Sequence, residues 1–372
     1  MRAIGLMSGT SMDGVDAALI ETDGERIEAV GPFFSRPYSD AERELLLGAM
    51  EDAEDLVGRD ARPGILGEAE KLITRAHIQA VQTLMRENGL TQHNIDVIGF
   101  HGQTVLHRPE AGLTVQLGDG PALADATGID VIYDFRAADM AAGGQGAPFV
   151  PAYHRALALH SGLPLPAVIL NIGGVANVTY IGPDDVLIAF DAGPGNALID
   201  QWMMETKRLP YDDRGALAAQ GQTDQVRLER MLSDPYFLNK PPKSLDRRDF
   251  SNHIVLGLSP EDGAATLTAF TAGALVCSMA HFPRTPEIFV LCGGGAHNAT
   301  LVKALRALRN GRVELADALG WTADAIEAQA FGYLAVRSLN GLPLSFPGTT
   351  GVAEPLQGGI LASAPELLGV ED

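Results

Sequence analysis

Asp191 closes an apolar run, Val186 to Phe190, shortly before Gly193-Pro194-Gly195-Asn196. With the run read as a buried strand and a helix from Ala197 to Thr206, its carboxylate sits at the strand's carboxyl edge, held and partly desolvated. Such a group can accept a proton from a nucleophile that attacks a phosphate or a sugar carbon. Capping of the next helix is the other use of that position, although Asn196 is the better-placed cap. Asp134 and Arg136 form a second polar cluster. The planar Arg fork matches a carboxylate, and an ion pair between the two residues is the alternative. His101, Gln103 and Thr104 read either as partners for sugar hydroxyls or as a satisfied core histidine with polar neighbours. His101 and His107 are too far apart to share a helical turn, and nothing near them completes a metal site. Glu327 lies in the apolar helical stretch Ala325 to Phe331, where spacing alone points it to solvent.

Three glycine-rich runs could hold phosphate. In Gly9-Thr10-Ser11-Met12-Asp13-Gly14 the glycines let backbone N–H groups approach an anion, and Thr10 and Ser11 add hydroxyl donors. Asp13 could organise Mg²⁺ through water. A plain tight turn is the competing reading. Asn171 to Asn177 repeats the logic with Gly173, Gly174 and the Asn177 amide. Gly293, Gly294 and Gly295 follow an apolar strand and precede a helix, with Asn298 as its N-cap. No G-x-x-x-x-G-K-[ST] string occurs, so a P-loop is excluded. Asn298 stands where a dinucleotide fingerprint wants Gly or Ala, and no protein-kinase H-R-D or D-F-G set is present.

The elements that must position these groups read as two similar halves. Residues 3–7 and 15–21 form one hairpin around the first glycine run, and 167–170 and 178–181 another around the second. Ser39 and Glu42 make a capping box ahead of a helix, and a longer helix covers 66–88. Short strands follow at 97–100, 131–133, 186–190 and 288–291, with helices at 197–206, 264–281, 298–309 and 324–339. Strands alternating with helices imply α/β layers, with ligands gathered beyond the strand ends. The flexible run 142–148 marks the junction. Lobe I is expected to take residues 1–140 plus 341–372, and lobe II residues 141–340. The 372 residues are enough for two cores. At 46% hydrophobic and 20% charged, with net charge -20, the chain reads as folded and unsuited to nucleic acid or anionic membrane. Cys277 and Cys292 read as buried apolar groups in a reducing compartment. The first residues lack a signal-peptide pattern, and no apolar run approaches the roughly 20 residues of a membrane span. A cytoplasmic location is expected.

In order along the chain stand GLMSGTSMDGVDAAL, FHGQTVLHRP, TVQLGDG, DFRAADMAAGGQGAP, LNIGGVANVT, FDAGPGNALID and CGGGAHN, with YDDRG and PPKSLDR between the last two. The ordered set resembles the 1,6-anhydro-N-acetylmuramic acid kinases over nearly the whole chain. That resemblance implies a two-lobed α/β fold of the actin-like, duplicated ribonuclease H type, with a cleft between lobes. It implies ATP and Mg²⁺, an anhydro-sugar from cell-wall recycling as substrate, and a homodimer. Gly9 to Asp16, with Val15, becomes the ATP phosphate loop. Asp191 becomes the catalytic aspartate and Glu327 a glutamate near the sugar. Arg136, with His101, Gln103, Gln116 and Asp134, becomes the substrate set around a lactyl carboxylate. In the anhydro-sugar O6 is tied to C1, so a water activated by Asp191 would attack C1 while O6 captures the phosphoryl group. A kinase of the same fold acting on a sugar with a free hydroxyl, and a non-enzymatic ATP-dependent filament, are the competing readings.

Overall fold

A computed structural model describes residues 1–9, 12–245, 249–308 and 312–365. Its strands, in chain order, are β1 Arg2–Ser8, β2 Gly14–Thr22, β3 Ile27–Pro37, β4 Val97–Arg108, β5 Leu113–Leu117, β6 Val131–Tyr133, β7 Ala167–Ile172, β8 Val175–Ile181, β9 Leu187–Pro194, β10 Ile288–Cys292, β11 Arg312–Leu315 and β12 Ile360–Ala362. They build two sheets. One runs β12-β6-β4-β1-β2-β3, with β5 paired to β4; the other runs β11-β10-β7-β8-β9. In the first, β1 is antiparallel to β2 and parallel to β4, and β4 is parallel to β6. In the second, β7 is antiparallel to β8 and parallel to β10, and β10 is parallel to β11. Strand order and sense repeat, so the duplicated ribonuclease H-like architecture is present in the topology itself.

The chain divides into two compact units, Met1–His160 with Ala325–Asp372, and Ser161–Asp324. These limits differ from the expected 140 and 341. The helix Ile326–Leu339 packs on β1, β2 and β4, and Pro151–His160 packs on that helix. Residues 142–148 also belong inside the first unit, where the Gln145 amide donates to the Thr350 carbonyl at 2.7 Å.

The first unit's core follows from two patterns. The helix Leu66–Glu87 buries Leu66, Ala69, Ile73, Ala76, Ala80 and Leu84 on one stripe. The helix Ile326–Leu339 is buried nearly all round, so its small residues serve packing. A Cβ at Gly5 would lie 1.7 Å from the Ala328 carbonyl oxygen, and one at Gly99 would lie 2.0 Å from that of Phe331. Only glycine lets this helix seat so closely on β1 and β4. The Ser39–Glu42 capping box forms as the sequence predicts, and starts the helix Asp40–Ala53.

In the second unit the helix Pro260–Cys277 buries most of its residues against β9, β8 and the helices Ala197–Lys207, Gln225–Leu232 and Ala299–Leu308. Together with the turn that ends at His281 it is long and apolar enough to cross a bilayer, which corrects the expectation that no stretch of this kind exists. Its hydrophobicity serves the core. β9 also runs further than expected, because Ala176 pairs with Gly193 and Val175 with Pro194. Pro194 is tolerated because β9 is an edge strand.

Candidate active site

In the first unit, β1 ends at Ser8 and β2 begins at Gly14, and the polar groups around the turn are committed to holding it. Buried Ser8 donates from Oγ to Gln103 Oε1 at 2.5 Å, and Gln103 Nε2 donates to the Gly9 carbonyl at 3.1 Å. The Ser8 hydroxyl lies 3.0 Å from the Tyr38 hydroxyl, and the Tyr38 amide donates to the Asp13 carbonyl at 2.9 Å. Gln103, expected as a substrate contact, is therefore a brace for the turn. Met12 takes a positive φ of 51° and is buried. Val15 is wholly buried in β2, so its side chain belongs to the core and only its backbone can face a ligand. Thr10 and Ser11 lie outside the described residues.

Arg136 and His101 come together. His101 is buried, its Nδ1 faces the Gly102 carbonyl at 2.8 Å, and its ring lies 4.5 Å from that of Phe331. Nδ1 is the protonated nitrogen in that arrangement, which leaves Nε2 to accept from Arg136 Nε at 3.2 Å and Nη2 at 2.9 Å. Burial, and then the Arg136 charge, hold the His101 pKa well below its ordinary 6.5, so the ring is neutral and keeps that acceptor. Arg136 Nη1 donates to the Gly146 carbonyl at 2.5 Å. Its guanidinium lies 5.5 Å from the Phe149 ring centre. Burial brings the Arg136 pKa down to about 10, against the opposing charges of Glu327 and Asp139. Asp139 was not foreseen from the sequence. It is fully buried and accepts from the Gly146 amide at 2.7 Å and the Thr350 hydroxyl at 2.6 Å, fixing the loop on which Arg136 leans.

Glu327 is half-buried in the first turn of its helix, not turned to solvent as spacing alone suggests. Burial raises its pKa, Arg136 opposes the rise, and the charges of Asp16 and Asp13 add to it. Glu327, Arg136, Asp13 and Asp16 therefore share one electrostatic neighbourhood. Asp134 does not join them. Its partner is Arg59, and burial still raises its pKa despite that pair. Gln116 donates to the Thr104 and Thr114 hydroxyls at 3.1 and 2.8 Å, while its Oε1 is a buried atom without a hydrogen-bond partner.

In the second unit, Asp191 lies three residues inside β9, opposite Asn177 of β8, where a bulge interrupts the register. The sequence placed it at the strand's end. Burial pushes its pKa up to about 6, and the Leu245 amide, donating to Oδ2 at 2.9 Å, limits the rise. The Gly173 and Gly174 carbonyls accept from the amides of Asn196, Gly195 and Ala197, so this hairpin is tied to the start of the helix Ala197–Lys207. Asn196 occupies the N-cap position but makes no capping bond, because its side chain donates to the Ile172 carbonyl at 3.1 Å. Asn298 does cap the helix Ala299–Leu308, accepting from the Leu301 amide at 3.0 Å. Gly293 has φ 74°, and a Cβ there would lie 2.4 Å from Asn171 Oδ1. The second and third glycine runs thus meet at adjacent strands, β7 and β10.

Among the described residues no group of three His, Cys, Asp or Glu side chains could cage a metal ion. Mg²⁺ needs no such cage, because it takes one or two carboxylates and completes its shell with water and phosphate oxygens. The acid-rich neighbourhood of Asp13, Asp16 and Glu327 fits that requirement.

A duplicated α/β sheet core, glycine turns at strand ends and a desolvated carboxylate define the phosphotransferase class of site. A family model described as anhydro-N-acetylmuramic acid kinase matches residues 1–363. The anhydro-N-acetylmuramic acid kinase of Rhodopseudomonas palustris strain HaA2 is 58% identical over 363 residues, covering 97% of this chain and 99% of its own. The protein of the same name from Bradyrhizobium diazoefficiens is 55% identical with the same coverage. A ROK family glucokinase from Streptomyces griseus, in complex with glucose and AMPPNP, aligns over 90% of this chain and 99% of its own at 12% identity, with a TM-score of 0.42. At that distance the likeness has no functional weight. The chain belongs to the anhydro-N-acetylmuramic acid kinase family.

Proposed function

We propose that this protein opens 1,6-anhydro-N-acetylmuramic acid with water and phosphorylates O6 from ATP, giving N-acetylmuramate 6-phosphate in the recycling of cell wall. The observation that carries the chemistry is Asp191, a half-buried carboxylate with its pKa raised to about 6. A group of that kind is ionised at neutral pH yet basic enough to take a proton from water. The C1–O6 bond breaks as water oxygen joins C1, the water proton passes to Asp191, and O6 takes the γ-phosphoryl group from ATP.

Arg136 reads the lactyl carboxylate. Three of its five guanidinium N–H groups go to His101 and Gly146, which leaves two for an incoming acid. Glu327 lies in the same field and orients the sugar. Residues 9–16, 171–177 and 293–298 take the nucleotide, and Asp13 would hold Mg²⁺ through water. The ion would offset charge on the phosphates. A cytoplasmic homodimer is part of the same reading.

Phosphate transfer from ATP to the anhydro-sugar, compared with transfer to free hexoses, is the test. Transfer to the anhydro-sugar with one ADP formed per sugar is the expected result. Activity on free hexoses alone would leave a kinase for a sugar with an ordinary hydroxyl.

A further inference from the structure

β9 is an edge strand, and an edge strand presents backbone N–H and C=O groups that its own sheet does not pair. At Asp191 both groups are taken by one segment from elsewhere in the same unit. The Asp191 amide donates to the Lys243 carbonyl at 3.1 Å, and the Tyr236 hydroxyl donates to the Asp191 carbonyl at 2.6 Å. The Leu245 amide reaches the carboxylate itself at 2.9 Å. Lys243 then secures the segment. Its ammonium donates to the Tyr236 carbonyl at 2.9 Å and lies 4.4 Å from the Tyr236 ring centre and 5.3 Å from that of Phe190.

We propose that residues 236–245 form a clamp that fixes the direction of the Asp191 carboxylate, with Tyr236, Lys243 and the Leu245 amide as positioning groups. This rests on the reading of Asp191 as the proton acceptor. A strand backbone held on both sides cannot rock, so the side chain keeps one aim through the reaction. The Leu245 amide has a second effect. It stabilises the ionised carboxylate and opposes the rise that burial imposes. The other titratable groups nearby are Tyr236, pushed up by burial and by the charges of Asp191 and Asp249, and Lys243, pushed down by burial. Cys277 lies in the field of Lys243, and His281 meets Phe190 edge-on at 5.4 Å.

Steady-state kinetics of the full chain with the anhydro-sugar and ATP, on variants shown to melt cooperatively, test the clamp. Tyr236→Phe keeps the ring for Lys243 and removes the bond to Asp191. Its turnover should fall about tenfold with both KM values within about twofold, the pattern of an interaction that matters in the transition state. Lys243→Met should lose turnover and Lys243→Arg should recover most of it, because Arg keeps the cation over the rings. Leu245→Pro removes the amide donor, so the acid limb of its turnover profile should move to higher pH, with a larger loss at pH 6 than at pH 9. Unchanged turnover in Tyr236→Phe overturns the clamp, and it decides alone if Leu245→Pro does not fold. Retained turnover in Asp191→Asn overturns the clamp and the reading beneath it together, whereas a dead Asp191→Asn beside a normal Tyr236→Phe overturns the clamp only.

Discussion

Asp139 and Asp191 are the same side chain put to opposite uses. Asp139, in the first unit, meets two donors, one for each oxygen, and ties two loop segments together. Asp191, in the second unit, meets among the described residues the Leu245 amide on one oxygen, and burial leaves its carboxyl raised to about 6. A carboxylate with a donor on each oxygen is a fastener. One that is desolvated and only partly satisfied retains an appetite for a proton.

The strongest way to break this contrast is Asp191→Asn, which keeps the shape and removes the base. Turnover should fall about a hundredfold or more, with ATP affinity little changed in a binding titration. Near-normal turnover would take Asp191 out of the mechanism. Arg136→Ala comes next. It should raise KM for the sugar about thirtyfold and that for ATP no more than about threefold, because a charge-assisted fork is lost on one ligand only. The reverse pattern would assign Arg136 to the nucleotide.

The smallest effect concerns stability. The Asp191 carboxyl holds its proton more tightly in the folded chain than at its ordinary 3.8. The stabilisation linked to that proton is full below about pH 3.8 and is lost as pH rises through about 6, so the ionised group burdens the fold at pH 8. Asp191→Asn should therefore unfold later in urea than the parent at pH 8, by about 2 kcal/mol after allowance for partial exposure. The gap should close near pH 4. An equal gap at both pH values would show that burial does not tax this carboxylate.

Much of the fold was legible because it is written locally. Alternating apolar residues around the glycine runs gave both hairpins, and Ser39 with Glu42 gave a helix start that the structure keeps. What failed is written at long range. Asp134 pairs with Arg59, 75 positions away, so its neighbour Arg136 was the wrong partner to consider. The Leu245 amide stands 54 positions from Asp191, and no spacing rule connects them. Gln103 looked like a ligand reader because its type suits one, and only the geometry shows both ends of its amide engaged by Ser8 and Gly9. The expected boundary at 341 failed for a related reason. The helix Ile326–Leu339 follows the second unit in sequence, and its packing surface lies on strands laid down more than two hundred residues earlier.

That helix also sets a timetable for synthesis. β1 and β4 leave the ribosome early with Gly5 and Gly99 bare, and the segment that fills those notches is translated only after the whole of 161–324. The inserted unit has every residue it needs while its host still waits for a keystone. Nascent chains should therefore mature from the middle outward, with the amino-terminal sheet the last to close.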